Sequence, residues 1–198
     1  MEISDSVSFV DYWKKIRART RRVIDCIPDD RYEWTHADGA WTFADLIRHL
    51  AAIERWMFGE NAKCRPSLYA GCRRELADGP EAVRAYIDRL HAESIEIFAS
   101  LSLEDLRAKC QTPGGIQITV WKWLRAMVEH EVHHRGQIYV MLGVLGVETP
   151  PLYGLTEEEV EERSPLGGFS SVETSASDRH ARSAGSQPQR GKPAARPT

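Results

Sequence analysis

The sequence predicts an all-α protein, a four-helix bundle followed by a disordered C-terminal tail. Four long segments place apolar residues at the 3.6-residue period of a helix, and no segment alternates cleanly as a strand would. Amphipathic helices of this length bury their apolar faces by packing against one another. A bundle is therefore the simplest architecture for this chain.

Each helix has a recognisable start or stop. Pro28 ends the first helix, because its ring removes a backbone N–H and clashes with the preceding turn. Thr42 and Asp45 form a capping-box pattern at the start of the second. Pro80 suits the first turn of the third. The predicted spans are 7–27, 42–60, about 80–101 and 119–145.

The connections between the helices are also informative. Segment 61–79 is long for a link between adjacent antiparallel helices, so it predicts a crossover connection. A short fifth helix is expected from Thr156, with Glu159 as its capping partner. From residue 164 the composition changes to Ser, Pro, Gly, Ala, Gln and Arg, which bury too little apolar surface to offset the entropy of ordering. We therefore expect a bundle domain over 1–163 and a disordered tail over 164–198.

Composition argues against several functions. The chain has 198 residues and a formal net charge of -3, so there is no electrostatic reason to expect a nucleic acid partner. No run of about 18 apolar residues predicts a membrane span. The N-terminal residues do not form a secretory signal. The four cysteines are scattered, without a Cys-x-x-Cys pair. Together these features predict a protein of the reducing cytoplasm.

Helical geometry selects two histidines of the fourth helix. With about 100° per residue and Met127 at the centre of the inward stripe, His130 lies at about -60° and His134 at about -20°. His133 lies at about -120°, turned away from the core. Residues i and i+4 are neighbours on a helix. His130 and His134 therefore project together into the bundle, as a metal chelate requires.

His49 repeats this pattern on the second helix, where it stands among Leu46, Leu50 and Ile53. A single inward histidine is usually a structural residue whose two ring nitrogens are satisfied by neighbours. Three inward histidines on two helices favour a metal site instead, because neutral imidazole binds zinc, nickel or iron through one nitrogen. Three protein ligands leave positions open for water or substrate, which is the arrangement of a catalytic site.

The same residues allow a second interpretation. His130-Glu131-x-x-His134 matches the H-E-x-x-H motif of zinc proteases, in which Glu131 would be the general base. In those enzymes the third ligand follows the motif, whereas the only downstream histidine here is His180, in the predicted tail. An edge strand that would hold a peptide substrate is also missing from the prediction. We therefore favour a site that includes His49 over a protease.

Other aromatic and histidine side chains are weaker candidates for the site. Four aromatic residues either line the mouth of a pocket near the metal or belong to the core: Trp34, Trp41, Trp56 and Tyr153. Two further histidines, His36 and His91, are expected at the solvent edge rather than as ligands.

Two stretches of the chain resemble the DinB/YfiT-like superfamily. One is the run 130–139 with the following segments 145–147 and 150–154, and the other is His49-Leu50 with Trp56. The resemblance covers about residues 5–160 and leaves out the C-terminal tail. It implies a four-helix bundle with up-down-down-up order. It also implies metal ligation by His49, His130 and His134.

Characterised members of that superfamily include transferases and isomerases that use bacillithiol, mycothiol or glutathione. A metal with an open position would lower the pKa of such a thiol and present the thiolate to an electrophile. The same position could instead hold a hydroxide for hydrolysis. Glu131, His133 or Gln137 could orient ligands or shuttle protons, and the helix angles do not single out one of them.

The sequence thus leaves three functional hypotheses. The first is a metal-dependent enzyme that transfers a low-molecular-weight thiol, as cosubstrate, to a small electrophilic molecule. The second is a metal-dependent hydrolase, and the third is a non-catalytic metal- or ligand-binding stress protein. A homodimer is expected in each case, because dimers are the commonest assemblies of such folds.

Overall fold

Four long helices dominate the computed structural model, which describes residues 2–164. A π-helical segment, Glu54–Gly59, lies within the second of them. The helices span Ser6–Ile24 (α1), Phe43–Ile53 (α2), Glu60–Ala62 (α3), Pro80–Ala99 (α4), Leu103–Arg107 (α5), Val120–Val144 (α6) and Glu157–Arg163 (α7), and the strands span Lys109–Gln111 (β1) and Gln117–Thr119 (β2).

Contacts along α4 show the direction of the first helix. The rings of Phe9 and Phe98 meet 5.8 Å apart, so the start of α1 lies at the end of α4. Arg21 pairs with Asp88 at 2.7 Å, so the end of α1 lies nearer the start of α4. These two helices are therefore antiparallel.

The second long helix runs in the same direction as α4. Arg48 near the start of α2 donates to the Ala77 carbonyl just before α4, at 2.8 Å. Further along, Arg55 pairs with Glu93 at 3.1 Å. The crossover segment between them, residues 63–79, must therefore return along the length of the bundle before α4 can begin. This explains why it is long.

Two clusters of buried side chains fix the direction of α6. One contains Phe9 and Trp13 of the early part of α1 together with Leu124 of the early part of α6. The other contains Ile24 at the end of α1 and Ile138 in the later part of α6. Helices α1 and α6 are therefore parallel, and the order is up-down-down-up, as predicted.

Most predicted helix boundaries are confirmed within a few residues. The capping boxes of Thr42 with Asp45 and of Thr156 with Glu159 are both present. Helix α1 ends at Ile24 rather than at residue 27, because the last turn before Pro28 closes through shorter i→i+3 hydrogen bonds. The two capping boxes could be predicted because each depends on residues within a single turn.

Several elements of the structure were not predicted. The π-helical segment interrupts what the sequence suggested was one regular helix. The antiparallel hairpin of β1 and β2 has only three residues in each strand, too few for an alternating pattern to stand out. Helix α5 is a five-residue element capped by Ser102 and Asp105.

The described residues fall into two units, one ending at Leu155 and one beginning at Thr156 with α7. Of the predicted tail, only residue 164 lies within the described residues, so the domain boundary and the tail stay predictions. Within residues 2–164, no helix is long and apolar enough to cross a membrane.

Candidate metal centre

Helices α2 and α6 bring the three predicted histidines together. The Nε2 atoms of His49 and His130 lie 3.0 Å apart, and those of His130 and His134 lie 3.1 Å apart. All three candidate ligand atoms lie within 4.8 Å of one another. His49 and His134 are buried, and His130 is partly buried. We call these three residues the histidine cluster.

Two neighbours orient the rings of the histidine cluster. The Nδ1 atom of His49 lies 2.7 Å from the phenol oxygen of Tyr69, a residue of the crossover segment. The Nδ1 atom of His134 lies 2.6 Å from Oε1 of Gln137. An amide oxygen can only accept, so Nδ1 of His134 carries the proton and its Nε2 keeps a free lone pair. A phenol oxygen can accept in the same way from His49.

The environment keeps these imidazoles neutral. Burial, helped by the neighbouring His134, lowers the pKa of His49 to about 4. Burial and the other histidines lower the pKa of His130 to about 3. Burial also lowers the pKa of His134, although its hydrogen bond with Gln137 acts in the opposite direction. Neutral imidazole is the form that ligates metals, so all three side chains are prepared for that role at neutral pH.

This arrangement fits a divalent transition-metal ion. Ligand nitrogens around a tetrahedral zinc, at about 2.0–2.1 Å from the ion, lie roughly 3.3 Å from each other. The two Nε2–Nε2 distances of 3.0 and 3.1 Å are close to that spacing. Ring nitrogens tied by a second hydrogen bond to oxygen are typical of metal-ligating histidines. Imidazole ligands suit zinc, nickel and iron alike.

The other predicted site residues lie in different places. His133 is exposed, with its ring centroid 4.9 Å from that of His134. Gln137 contacts the cluster through His134. Glu131 is 2 % exposed and faces Arg17 of α1, with 3.4 Å between Oε1 and Nη1. Its carboxylate is thus held by α1 inside the bundle, which does not suit the general base that the protease interpretation requires.

A buried polar network joins α1, the π-helical segment and α4, and the sequence did not predict it. Glu54 is 1 % exposed, and its carboxylate forms an ion pair with Arg17. The same carboxylate accepts a hydrogen bond from Trp13 Nε1 at 2.8 Å and lies 2.9 Å from His91 Nδ1. His91 is therefore half-buried in this network rather than at the solvent edge. Trp13 and Arg17 are four residues apart on one face of α1, a signal that could have revealed the network.

The charges of this network oppose one another. Burial alone would raise the pKa of Glu54, but Arg17, His91 and Trp13 together hold it below its ordinary value of 4.5. Burial raises the pKa of Glu131, although Arg17 acts in the opposite direction. Arg17 thus supports mainly the Glu54 carboxylate.

A groove runs along α6 beside the histidine cluster and has a volume of about 650 Å³. Trp41 connects the two, since its ring lies 4.7 Å from that of His49 and 5.8 Å from that of His134. Gln137 also connects them, because it lines the groove and contacts His134. We call this the α6 groove, and its lining comprises His36, Ala40, Trp41, Leu46, His133, Gly136, Gln137, Val140, Met141 and Val144.

Not all aromatic candidates belong to this region. Trp34 stacks on Phe43 in the core, at 5.7 Å. Tyr153 is exposed and lies against Arg19. A second cavity, of about 410 Å³, lies between the N-terminal segment and α6, and none of the three clustered histidines lines it. The α6 groove adjoins the histidine cluster through Trp41 and Gln137.

The fold and the site define a four-helix bundle with a three-histidine centre, and comparison with known proteins gives its family. Residues 12–138 match the sequence profile of the DinB superfamily, so the chain belongs to that superfamily. No curated protein sequence is a significant match.

Solved structures support the same fold. A DinB-like protein from Bacillus subtilis, YjoA, superposes with a TM-score of 0.62 at 18% identity, covering 75% of this chain and 99% of that one. A DinB-like protein from Bacillus cereus gives 0.61 at 16% identity, covering 72% and 94%. YfiT from Bacillus subtilis, described as a probable metal-dependent hydrolase with an unusual four-helix bundle topology, gives 0.59 at 17% identity, covering 72% and 89%.

Proposed function

We propose that this protein is a metal-dependent enzyme that transfers a low-molecular-weight thiol to a small electrophilic molecule. One observation carries the proposal. One candidate ligand nitrogen from each residue of the histidine cluster lies within 4.8 Å of the other two, and the cluster adjoins a groove of about 650 Å³. Three protein ligands leave a coordination position for an exogenous group, and a groove of this size suits a small organic molecule.

In this reaction the main contribution of the protein is to place the thiol and the electrophile next to each other. His49, His130 and His134 would hold a divalent cation, which when bound would lower the pKa of a coordinated thiol and so favour the nucleophilic thiolate. The sulfur forms a bond to an electrophilic carbon, and the bond from that carbon to its leaving group breaks with the electron pair on the leaving group. The thiol proton passes to His133 or to water. The exposure of His133 and its contact with His134 support this role.

Hydrolysis is the second candidate. The similarity to YfiT, described as a probable metal-dependent hydrolase, favours it. In that reaction water supplies a hydroxyl group to the substrate and a proton to the leaving group. Glu131 is occupied by Arg17 inside the bundle, so His133 would again be the proton acceptor.

Metal analysis tests the site. The purified full-length chain should contain about one divalent ion per chain, and His134→Ala should lose it. His133→Ala is the matched control on the same helix and should keep the metal, because His133 is not one of the three clustered ligands. Stoichiometric metal in His134→Ala would overturn the assigned ligand set.

Activity assays separate the candidate reactions. Conjugate formation from 1-chloro-2,4-dinitrobenzene should depend both on a thiol, tested as glutathione, bacillithiol and mycothiol, and on the metal. His133→Ala should lower the turnover without loss of metal. Cleavage of 4-nitrophenyl acetate without any thiol would replace the first candidate with the second. Bound metal without turnover in either assay would overturn both and leave a binding protein.

A further inference from the structure

The α6 groove has an uneven chemical character. Seven of the residues that line it are apolar or glycine, and the polar ones are His36, His133 and Gln137. Among the described residues of this lining there is no lysine, arginine, aspartate or glutamate. This contrasts with the chain as a whole, in which 28% of the residues are charged. The groove is therefore a neutral surface on a charged protein.

Large apolar side chains in the groove remain in contact with water. Val140 and Val144 are 66% and 64% exposed, and Trp41 is 42% exposed. Val140 and Val144 lie one turn apart on α6, so they form a continuous apolar wall. Covering such a wall with an apolar molecule is favourable, because it removes apolar surface from water. An exposed tryptophan ring also offers a face on which a flat ring can stack.

A charged ligand would gain nothing comparable. A carboxylate or an ammonium group that leaves water for this groove meets no opposite charge among the described lining residues, so its lost hydration is not replaced. A neutral carbonyl, amide or nitro group can instead accept a hydrogen bond from Gln137 or from an imidazole N–H of His36 or His133. The lining thus favours a ligand that has no net charge and carries one polar group.

We propose that the α6 groove binds uncharged molecules with an aromatic or similarly flat apolar body, and discriminates against carboxylate, phosphate and ammonium ligands. The proposal deepens the proposed function, since it assigns the groove to the electrophile in thiol transfer, or to the cleaved molecule in hydrolysis. A charged thiol cosubstrate would then keep its charged groups outside the groove.

Three naphthalene derivatives of similar shape test this charge selectivity: 2-naphthamide, 2-naphthoate and 2-naphthylmethylammonium. Binding to the metal-free full-length chain is measured by calorimetry at pH 8, above the usual titration range of histidine. The metal is removed so that naphthoate cannot bind by ligating it. The neutral amide should bind at least about tenfold more tightly than either ion, because only the ions lose hydration without a partner.

A charge introduced into the groove gives the decisive variant. Val140→Asp should weaken binding of 2-naphthamide about tenfold and strengthen binding of 2-naphthylmethylammonium, because the new carboxylate is an opposite charge. The matched control is Val7→Asp, since Val7 is 67% exposed but lies outside the groove lining. That control should leave all three affinities unchanged. A misfolded Val140→Asp could not produce tighter binding of the ammonium.

The outcomes separate this inference from the proposed function. Equal affinity for the three compounds, or no change in Val140→Asp, would overturn the groove assignment even if the enzyme turns over. Charge-selective binding together with an absence of turnover would support the groove assignment and overturn the catalytic proposal.

Discussion

Replacement of Glu54 by glutamine should destabilise the bundle by about 3 kcal/mol, because it breaks a buried ion pair. The Glu54 carboxylate is 1 % exposed and interacts with Arg17, Trp13 and His91. Removal of one partner from a buried pair costs about 3–5 kcal/mol. The lower end applies here, because the amide keeps the shape of the side chain and one acceptor oxygen. For a domain of this size the loss corresponds to a fall in Tm of about 6–12 °C.

The effect should depend on pH with a definite sign. The pKa of Glu54 is lowered in the folded protein, so its contribution to stability is present above about pH 4.5 and is lost as the pH falls through the folded pKa. The difference in the free energy of unfolding between wild type and Glu54→Gln should therefore be largest near neutral pH. It should shrink as the pH is lowered below about 4.5.

Urea unfolding followed by tryptophan fluorescence, at several pH values, measures this difference. Glu93→Gln is the matched control. Glu93, like Glu54, is a carboxylate in an ion pair, here with Arg55 and Arg89, but its side chain is 36% exposed. An exposed pair contributes less than about 1 kcal/mol. Equal destabilisation by the two substitutions, or a difference that grows as the pH falls, would refute the reasoning.

Two further substitutions test contacts of the crossover segment. Tyr69→Phe removes the oxygen beside His49 and should weaken metal binding about 10- to 100-fold in a chelator competition assay. The control is Tyr12→Phe, which changes an exposed side chain and should leave the metal affinity unchanged. Arg48→Met should lower the free energy of unfolding by about 2 kcal/mol in urea, because it removes a charged donor from the Ala77 carbonyl. Unchanged metal affinity in the first variant, or unchanged stability in the second, would contradict these assignments.

The histidine cluster could be predicted from the sequence because the positions of its residues follow the period of a helix. His130 and His134 are one turn apart, and His49 shares a face with the apolar residues of its own helix, so helix geometry alone orients all three. The helix starts could be predicted for a similar reason. Thr42 and Asp45 interact within one turn, without help from the rest of the fold.

Contacts between distant segments could not be predicted in this way. Tyr69 lies in an irregular segment that has no period, so nothing in the sequence indicates that its hydroxyl meets His49. Arg17 and Glu54 are 37 residues apart, and their pairing depends on the relative direction of two helices. The π-helical segment adds to the difficulty, because its wider turn shifts the helix face on which the residues after it lie.

The crossover segment has a thermodynamic consequence for metal retention. Because it supplies the oxygen beside His49, its docking onto the bundle and the binding of a metal ion are coupled equilibria. Such coupling is reciprocal. Docking of the segment raises the affinity for the ion by a certain factor, and binding of the ion raises the equilibrium constant for docking by the same factor. Substitutions that loosen residues 63–79 without touching a histidine would therefore weaken the binding of such an ion. The connection that a parallel helix pair requires would thus also help to set the affinity of the site for a metal.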